Sequence, residues 1–359
     1  MSETLAPIAS RAAWTGPTLD YRTEGMHVLT ETEIAEIDAA LAALTKDGPV
    51  DFPDITAERF PLPTLGAFFQ KQLHELRHGL GFLLLRGLPR ERYTADEMAL
   101  IYFGLGAHLG VPTPQSWQGE LLGHVVDISD IDQGVRGYNA GGGQNMHTDS
   151  CDIVALMCLR AAKSGGKSRI ASSHAVHNHL AATRPDLLKL LYDGMLCRRM
   201  ERDAENGTGE ILQHVTFFRR RGEELSTYIS GSYPVRAVKA GDATMTPAQQ
   251  EALKAFFDTA AAPDFHLDMS IGEGDIQFLN NRIMVHGRTN YEDHPEITRR
   301  RHMLRLWLRV PGWPSMTDSQ AMHTQEDHRL WLRQRRPFME VPSTFLAEKS
   351  RRQAAAAAA

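Results

Sequence analysis

The chain changes character near residue 121. Before that point three stretches carry the apolar spacing of amphipathic helices. After it, apolar residues come in short runs or alternate with polar ones, and glycine breaks the runs. A repeat of two sends successive side chains to opposite faces of a strand. Many short strands of this kind bury their apolar faces only by packing as a sandwich or closing as a barrel. The runs fall at 121–128, 153–159, 168–172, 215–218, 225–229, 265–271, 276–280 and 303–310, with a hairpin turn expected over 219–224.

The helical part is punctuated clearly. Thr30-Glu31-Thr32-Glu33 and Thr94-Ala95-Asp96-Glu97 are capping boxes that open helices over 30–46 and 94–109. A third helix is expected over 65–76, and a buried strand lies between Gly81 and Pro89. Thr246-Pro247-Ala248-Gln249 starts a further helix over 247–260. No repeat, linker or composition boundary divides the 359 residues, so one β-rich domain decorated by helices is the simplest organisation.

A formal net charge of −5 offers no basic footprint for nucleic acid. Three cysteines, Cys151, Cys158 and Cys197, cannot all pair and form no C-x-x-C motif, so reduced thiols in a cytoplasmic protein are expected. No stretch reaches the roughly 18 to 20 apolar residues of a membrane span, and the first residues lack an apolar export core. The alanine run 354–359 is left out of the fold reasoning.

Within the strand-rich part, His147-Thr148-Asp149 follows the loop Gly141-Gly142-Gly143, and His286 follows the expected strand 276–280. Two imidazoles and one carboxylate on one face of a metal leave three adjacent positions open, the facial triad of non-haem Fe(II) sites. His-x-Asp alone is weak evidence. With 16 histidines, roughly one such pair arises by chance, and His266-Leu267-Asp268 is a second one. There Phe265, Leu267 and Met269 look core-facing, which turns His266 and Asp268 outward.

The segment Arg299 to Arg305 shifts the balance. On a strand Arg301 and Arg305 share a face with Met303, and two guanidiniums on an otherwise apolar face are costly unless an anion meets them. A dicarboxylate would supply that anion to the planar forks of arginine. A surface strand whose arginines face water is the plain alternative.

These segments, in order, resemble the taurine dioxygenase and clavaminate-synthase-like family of Fe(II)- and 2-oxoglutarate-dependent oxygenases. The resemblance rests on Gly81 to Leu88, His147-Thr148-Asp149, Gly165-Gly166-Lys167-Ser168, Gly274 to Asn281, His286-Gly287-Arg288 and Arg300 to Trp307. It implies a mainly β fold with peripheral α-helices, a double-stranded β-helix (jelly roll, cupin-like). The chain then divides into an N-terminal helical segment (1–80), the dioxygenase domain (81–345) and a tail (346–359).

The resemblance further implies that His147, Asp149 and His286 bind Fe(II) and that Arg301 holds the C5 carboxylate of 2-oxoglutarate. Arg305 would lie near the C1 carboxylate or an anionic group of the substrate, and Ser168 stands where relatives more often carry a cosubstrate-binding threonine. With O2 as the third reactant, the expected outcome is oxidation of a small molecule, most simply hydroxylation, with release of succinate and CO2. Retention of Asp149 argues against halogenation, because halogenating relatives vacate that ligand position. Isopenicillin-N-synthase-like enzymes carry Arg-x-Ser after the distal histidine, which is absent here.

Tyr138, Asn139, Asn145 and Arg288 are the candidate substrate residues, and the arginines suggest an anionic or amino-acid-like molecule. A homo-oligomer is expected on general grounds. Two other readings stay open at this level: a cupin-like metal protein that does not use 2-oxoglutarate, and a non-catalytic 2-oxoglutarate-binding module.

Overall fold

The computed structural model describes residues 5–132, 137–222, 224–314 and 318–358. Two sheets face each other across the centre. The major sheet runs Met26–Val28, Phe82–Arg86, Ile276–Asn280, Ile153–Arg160, His302–Arg309, Val111–Pro112, with Leu122–Val125 also paired to His302–Arg309. The minor sheet runs His266–Met269, Ser168–Ser172, Met284–Arg288, Gln144–His147. Every pairing in both is antiparallel except the first. The sheets are the jelly roll of a double-stranded β-helix, and strands distant in sequence lie side by side as that topology requires.

Alternation along the strands sorts the core into layers. Leu304, Leu306 and Leu308 belong to the outer cluster, which packs the major sheet against helices Glu31–Thr45, Leu65–His78 and Ala95–Ala107. Trp307 belongs with Leu84, Val154, Leu279 and Ile170 to the cluster that joins the two sheets. Behind the minor sheet, Ala171 and Val285 meet helices Ser173–Thr183, Pro185–Asp193 and Pro247–Ala261. Both N-terminal capping boxes close as the residues dictate, with Glu33 bonding back to Thr30 N and Glu97 to Thr94 N, each at 2.8 Å.

Three details differ from the sequence reading. The run 215–218 is two strand ends, not one strand. Leu212–Val215 pairs with Met195–Arg198 and Phe218–Arg221 with Glu224–Thr227. Phe217 and Phe218 are both buried, which a strand with one wet face cannot arrange, so the chain bends there. The N-terminal segment is not purely helical, because Met26–Val28 adds a parallel edge strand too short to show a period. Residues from 346 onward are not a detached tail. Helix Pro342–Ala358 runs into the alanines, buries Lys349 beside Phe345, and its Gln353 accepts a hydrogen bond from Ile297 N at 3.0 Å.

Candidate metal centre

His147 ends its strand directly opposite His286 in the minor sheet. Opposed residues on neighbouring antiparallel strands project to one face. Their rings accordingly lie 4.4 Å apart between centroids. Asp149 is two residues on, in a turn fixed from both sides. Thr148 N and Oγ1 donate to Ile229 O, and Asp149 N donates to the Asn281 side-chain oxygen at 2.9 Å. The Asn281 amide donates in return to the carbonyls of Asp149 and Cys151.

The three side chains converge. Asp149 Oδ1 is 3.8 Å from His147 Nε2, Asp149 Oδ2 is 3.7 Å from His286 Nε2, and one donor atom from each residue lies within 4.8 Å of the other two. The two ion-pair separations are too long for hydrogen bonds. Two ligands each about 2.1 Å from one ion can stand at most about 4.2 Å apart, so this spacing suits a shared metal with slight closure. The His147 Nδ1–H donates to Asn145 O at 2.9 Å, because a carbonyl can only accept, and that leaves Nε2 without a proton on the side of Asp149, where the Gln144 amide donates to it at 3.3 Å.

Electrostatics favour the ligating forms. Burial raises the Asp149 carboxyl, but Arg305, His286, His147 and the Trp307 hydrogen bond together hold it below the usual carboxylate range. Burial, aided by His147, lowers His286 to about 3, so its imidazole stays neutral. Trp307 Nε1 donates to Asp149 Oδ2 at 2.9 Å and orients the carboxylate.

Beside this set, Tyr138, Ser168, Arg288, Arg301 and Arg305 line one pocket with His147 and His286. Arg301 is 8% exposed and, among the described residues, its guanidinium has no ion-pair partner. Burial and then Arg288 lower it to about 10. Arg305 lies over the Tyr138 and Trp307 rings at 4.3 and 5.0 Å, donates from Nε to Gln115 Oε1 at 2.8 Å, and reaches Asp149 Oδ2 at 3.5 Å. Ser168 donates to Gln277 Oε1 at 2.8 Å. Arg288 holds the glycine loop through the carbonyls of Gly142 and Ala140 and lies over Tyr291.

Two sequence candidates do not line this pocket. The Asn145 side chain is exposed, and only its carbonyl serves the site. Asn139 lines an outer cleft of about 580 Å³, and its amide, turned so that the nitrogen faces the carbonyl, donates to His124 O at 2.7 Å. The second His-x-Asp pair is half-buried rather than solvated, and Arg169 grips Asp268 with two bonds of 2.7 and 2.9 Å. Trp307, Asn281, Gln115 and Gln277 were not singled out. Trp307 was legible, being two residues beyond Arg305 on the same strand face, whereas nothing near Gln115 marks it.

The model of the taurine catabolism dioxygenase TauD, TfdA family matches residues 44–307. The chain belongs to that family. It is therefore an oxidoreductase of the Fe(II)- and 2-oxoglutarate-dependent class, which sets aside the cupin-type and non-catalytic readings. This TauD-family chain is 28% identical to FR-33289 synthase of Streptomyces rubellomurinus over 327 residues, 88% of this chain and 94% of that protein. It is likewise 28% identical to the taurine hydroxylase-like protein SAT17 of Stachybotrys chartarum, with 91% and 88% covered.

Among solved structures, asparagine oxygenase in complex with Fe(II), hydroxyasparagine and succinate superposes with a TM-score of 0.62 at 16% identity, covering 83% of this chain and 99% of that one. The non-haem iron oxygenase OrfP in complex with Fe and α-ketoglutaric acid gives 0.60 at 15% identity, covering 82% and 99%. The three cysteines of the TauD-family chain are buried and unpaired, and burial pushes the Cys158 and Cys197 thiols up to about 12. Among the described residues no helix is long and apolar enough to cross a membrane.

Proposed function

We propose that this enzyme hydroxylates a small amino-acid-like molecule, with His147, Asp149 and His286 holding iron and Arg301 holding the far carboxylate of 2-oxoglutarate. One observation carries the reading. The three metal-binding groups turn toward one another without hydrogen bonds between them, and two of them, His147 and His286, line the same pocket as a buried guanidinium that has no ion-pair partner among the described residues. Iron bound there supplies oxygen activation coupled to oxidative decarboxylation of 2-oxoglutarate to succinate and CO2.

The remaining roles belong to the chain itself. Arg301 offers its planar fork to a carboxylate, and the Ser168 hydroxyl can rotate from Gln277 toward the same group. Asn145 O keeps the His147 tautomer, and Trp307 keeps the Asp149 rotamer. Arg305, held between two rings and Gln115, keeps positive charge beside Asp149 where an anionic substrate group would come. Arg288 pins the glycine loop over the pocket.

Tyr138 lines both this pocket and the outer cleft, so the cleft is the route by which substrate arrives. Its wall carries Arg202, Arg336 and Lys349 together with Glu120 and Glu201, a mixture that suits a zwitterion. The asparagine oxygenase complex and the OrfP complex with (3S)-hydroxy-L-Arg support an amino-acid-like substrate.

Anaerobic addition of Fe(II) and 2-oxoglutarate should give the weak visible charge-transfer band of bidentate chelation. Amino acids, carboxylic acids and sulfonates are then screened for substrate-stimulated oxygen uptake and succinate release. Absence of both the band and succinate would reject the assignment.

A further inference from the structure

A second cavity, of about 350 Å³, shares no lining residue with the pocket of the metal centre. Its volume is within the range of small-molecule sites. Arg11, Arg77, Arg219, Arg221 and Arg282 line it against the single acid Glu224. Three of these cations are matched, Arg11 by Glu75, Arg77 by Glu224 and Arg282 by Asp152. Two are not. Arg221 has no acidic partner among the described residues, and Arg219 reaches only the Ser319 hydroxyl at 3.4 Å.

The hairpin explains why these two act together. Arg219 and Arg221 are two apart on Phe218–Arg221 and share a face, while Ser226 stands opposite Arg219 and Glu224 opposite Arg221. Among the described residues, Arg219 Nε, Ser226 Oγ and His174 Nδ1 are all buried polar atoms without a hydrogen-bond partner. Each such atom costs about 1–3 kcal/mol unless something meets it.

His174 is 5% exposed, and its Nε2–H donates to Leu225 O at 3.2 Å, so Nδ1 is a bare acceptor. Burial lowers its pKa to about 4, which keeps it so. The cavity thus presents guanidinium and hydroxyl donors, one acceptor, and an apolar wall of Ile283, Trp313 and Pro314.

We propose that this cavity is a second binding site, for a small hydroxylated organic anion. A carboxylate or phosphate sits on Arg219, Arg221 and Ser226, and a ligand hydroxyl donates to His174. The walls adjoin the metal centre. Past the hairpin, Tyr228 OH bonds Ser150 Oγ at 2.8 Å and Ile229 N donates to Thr148 Oγ1 at 2.8 Å, on either side of Asp149.

The test is isothermal titration of the full chain with Fe(II) and saturating 2-oxoglutarate under anaerobic conditions, using inorganic phosphate and L-malate as probes. At least one probe should bind saturably, one per chain, to the wild type and to Arg301→Gln. The probe that binds identifies the head group. Affinity should fall about tenfold in Arg219→Gln/Arg221→Gln, as expected for loss of charge-assisted bonds. Arg221→Gln alone, at an exposed position, should lose several-fold without endangering the fold. Failure of both probes to saturate, binding unchanged in both variants, or binding lost only in Arg301→Gln would overturn the proposal.

Discussion

Replacing Arg301 by methionine should make the ligand-free protein more stable and the enzyme worse. The side chain is 8% exposed, without an ion-pair partner among the described residues, and burial followed by Arg288 lowers it from the ordinary 12.5 to about 10. At 1.36 kcal/mol per tenfold change in proton affinity, that penalty is about 3 kcal/mol. For a chain of 359 residues, each 1 kcal/mol moves Tm by about 1.3 °C, so the gain is at most about 4 °C.

Methionine keeps the apolar stem but offers no fork to a carboxylate. Removing one member of a buried charge pair costs about 2–5 kcal/mol of binding, or roughly 30- to several-thousand-fold in the 2-oxoglutarate requirement. Tm is read by scanning calorimetry on chelated protein, and KM for 2-oxoglutarate by succinate release, with iron content measured alongside. A variant with lower Tm and an unchanged KM would mean that Arg301 supports the fold and that the anion binds elsewhere.

Other outcomes are equally direct. His147→Ala or Asp149→Ala should abolish iron-dependent turnover while circular dichroism stays native, and activity retained in either removes the ligand assignment. Trp307→Phe deletes the 2.9 Å bond to Asp149 and should weaken Fe(II) binding about 10- to 100-fold with little change in KM for 2-oxoglutarate. An equilibrium metal titration showing wild-type affinity would count against carboxylate orientation by Trp307. Burial lowers His124 to about 3 and, in first place among their causes, lowers His177 and His328 to about 4. The unfolded chain takes up these protons below pH 6.5 while the fold refuses them, so stability should fall from pH 6.5 toward pH 4. Each histidine contributes up to about 1.4 kcal/mol per pH unit, and a flat Tm between pH 7 and 4.5 would refute this.

Local residue choice made much of the molecule readable. Thr30 with Glu33 and Thr94 with Glu97 announce helix starts because the capping bonds close within four residues. Alternation in 303–308 separates Leu304, Leu306 and Leu308 from Met303, Arg305 and Trp307 before any strand is paired. The Phe217-Phe218 bend and the edge strand Met26–Val28 escaped because neither has a period long enough to register.

The chain's own order of residues thus determined the helices, the strand-rich class and the candidates for the chemistry-bearing groups, all consequences of contacts a few positions long. Only the tertiary structure decided which of them meet. It set His147 opposite His286, sent Asp268 to Arg169 instead of to a metal, and turned the Asn145 side chain outward. It also brought Asn281 and Trp307 to Asp149 across 132 and 158 positions. Pairing of distant strands is governed by register and by burial summed over whole sheets, and no short segment encodes either quantity.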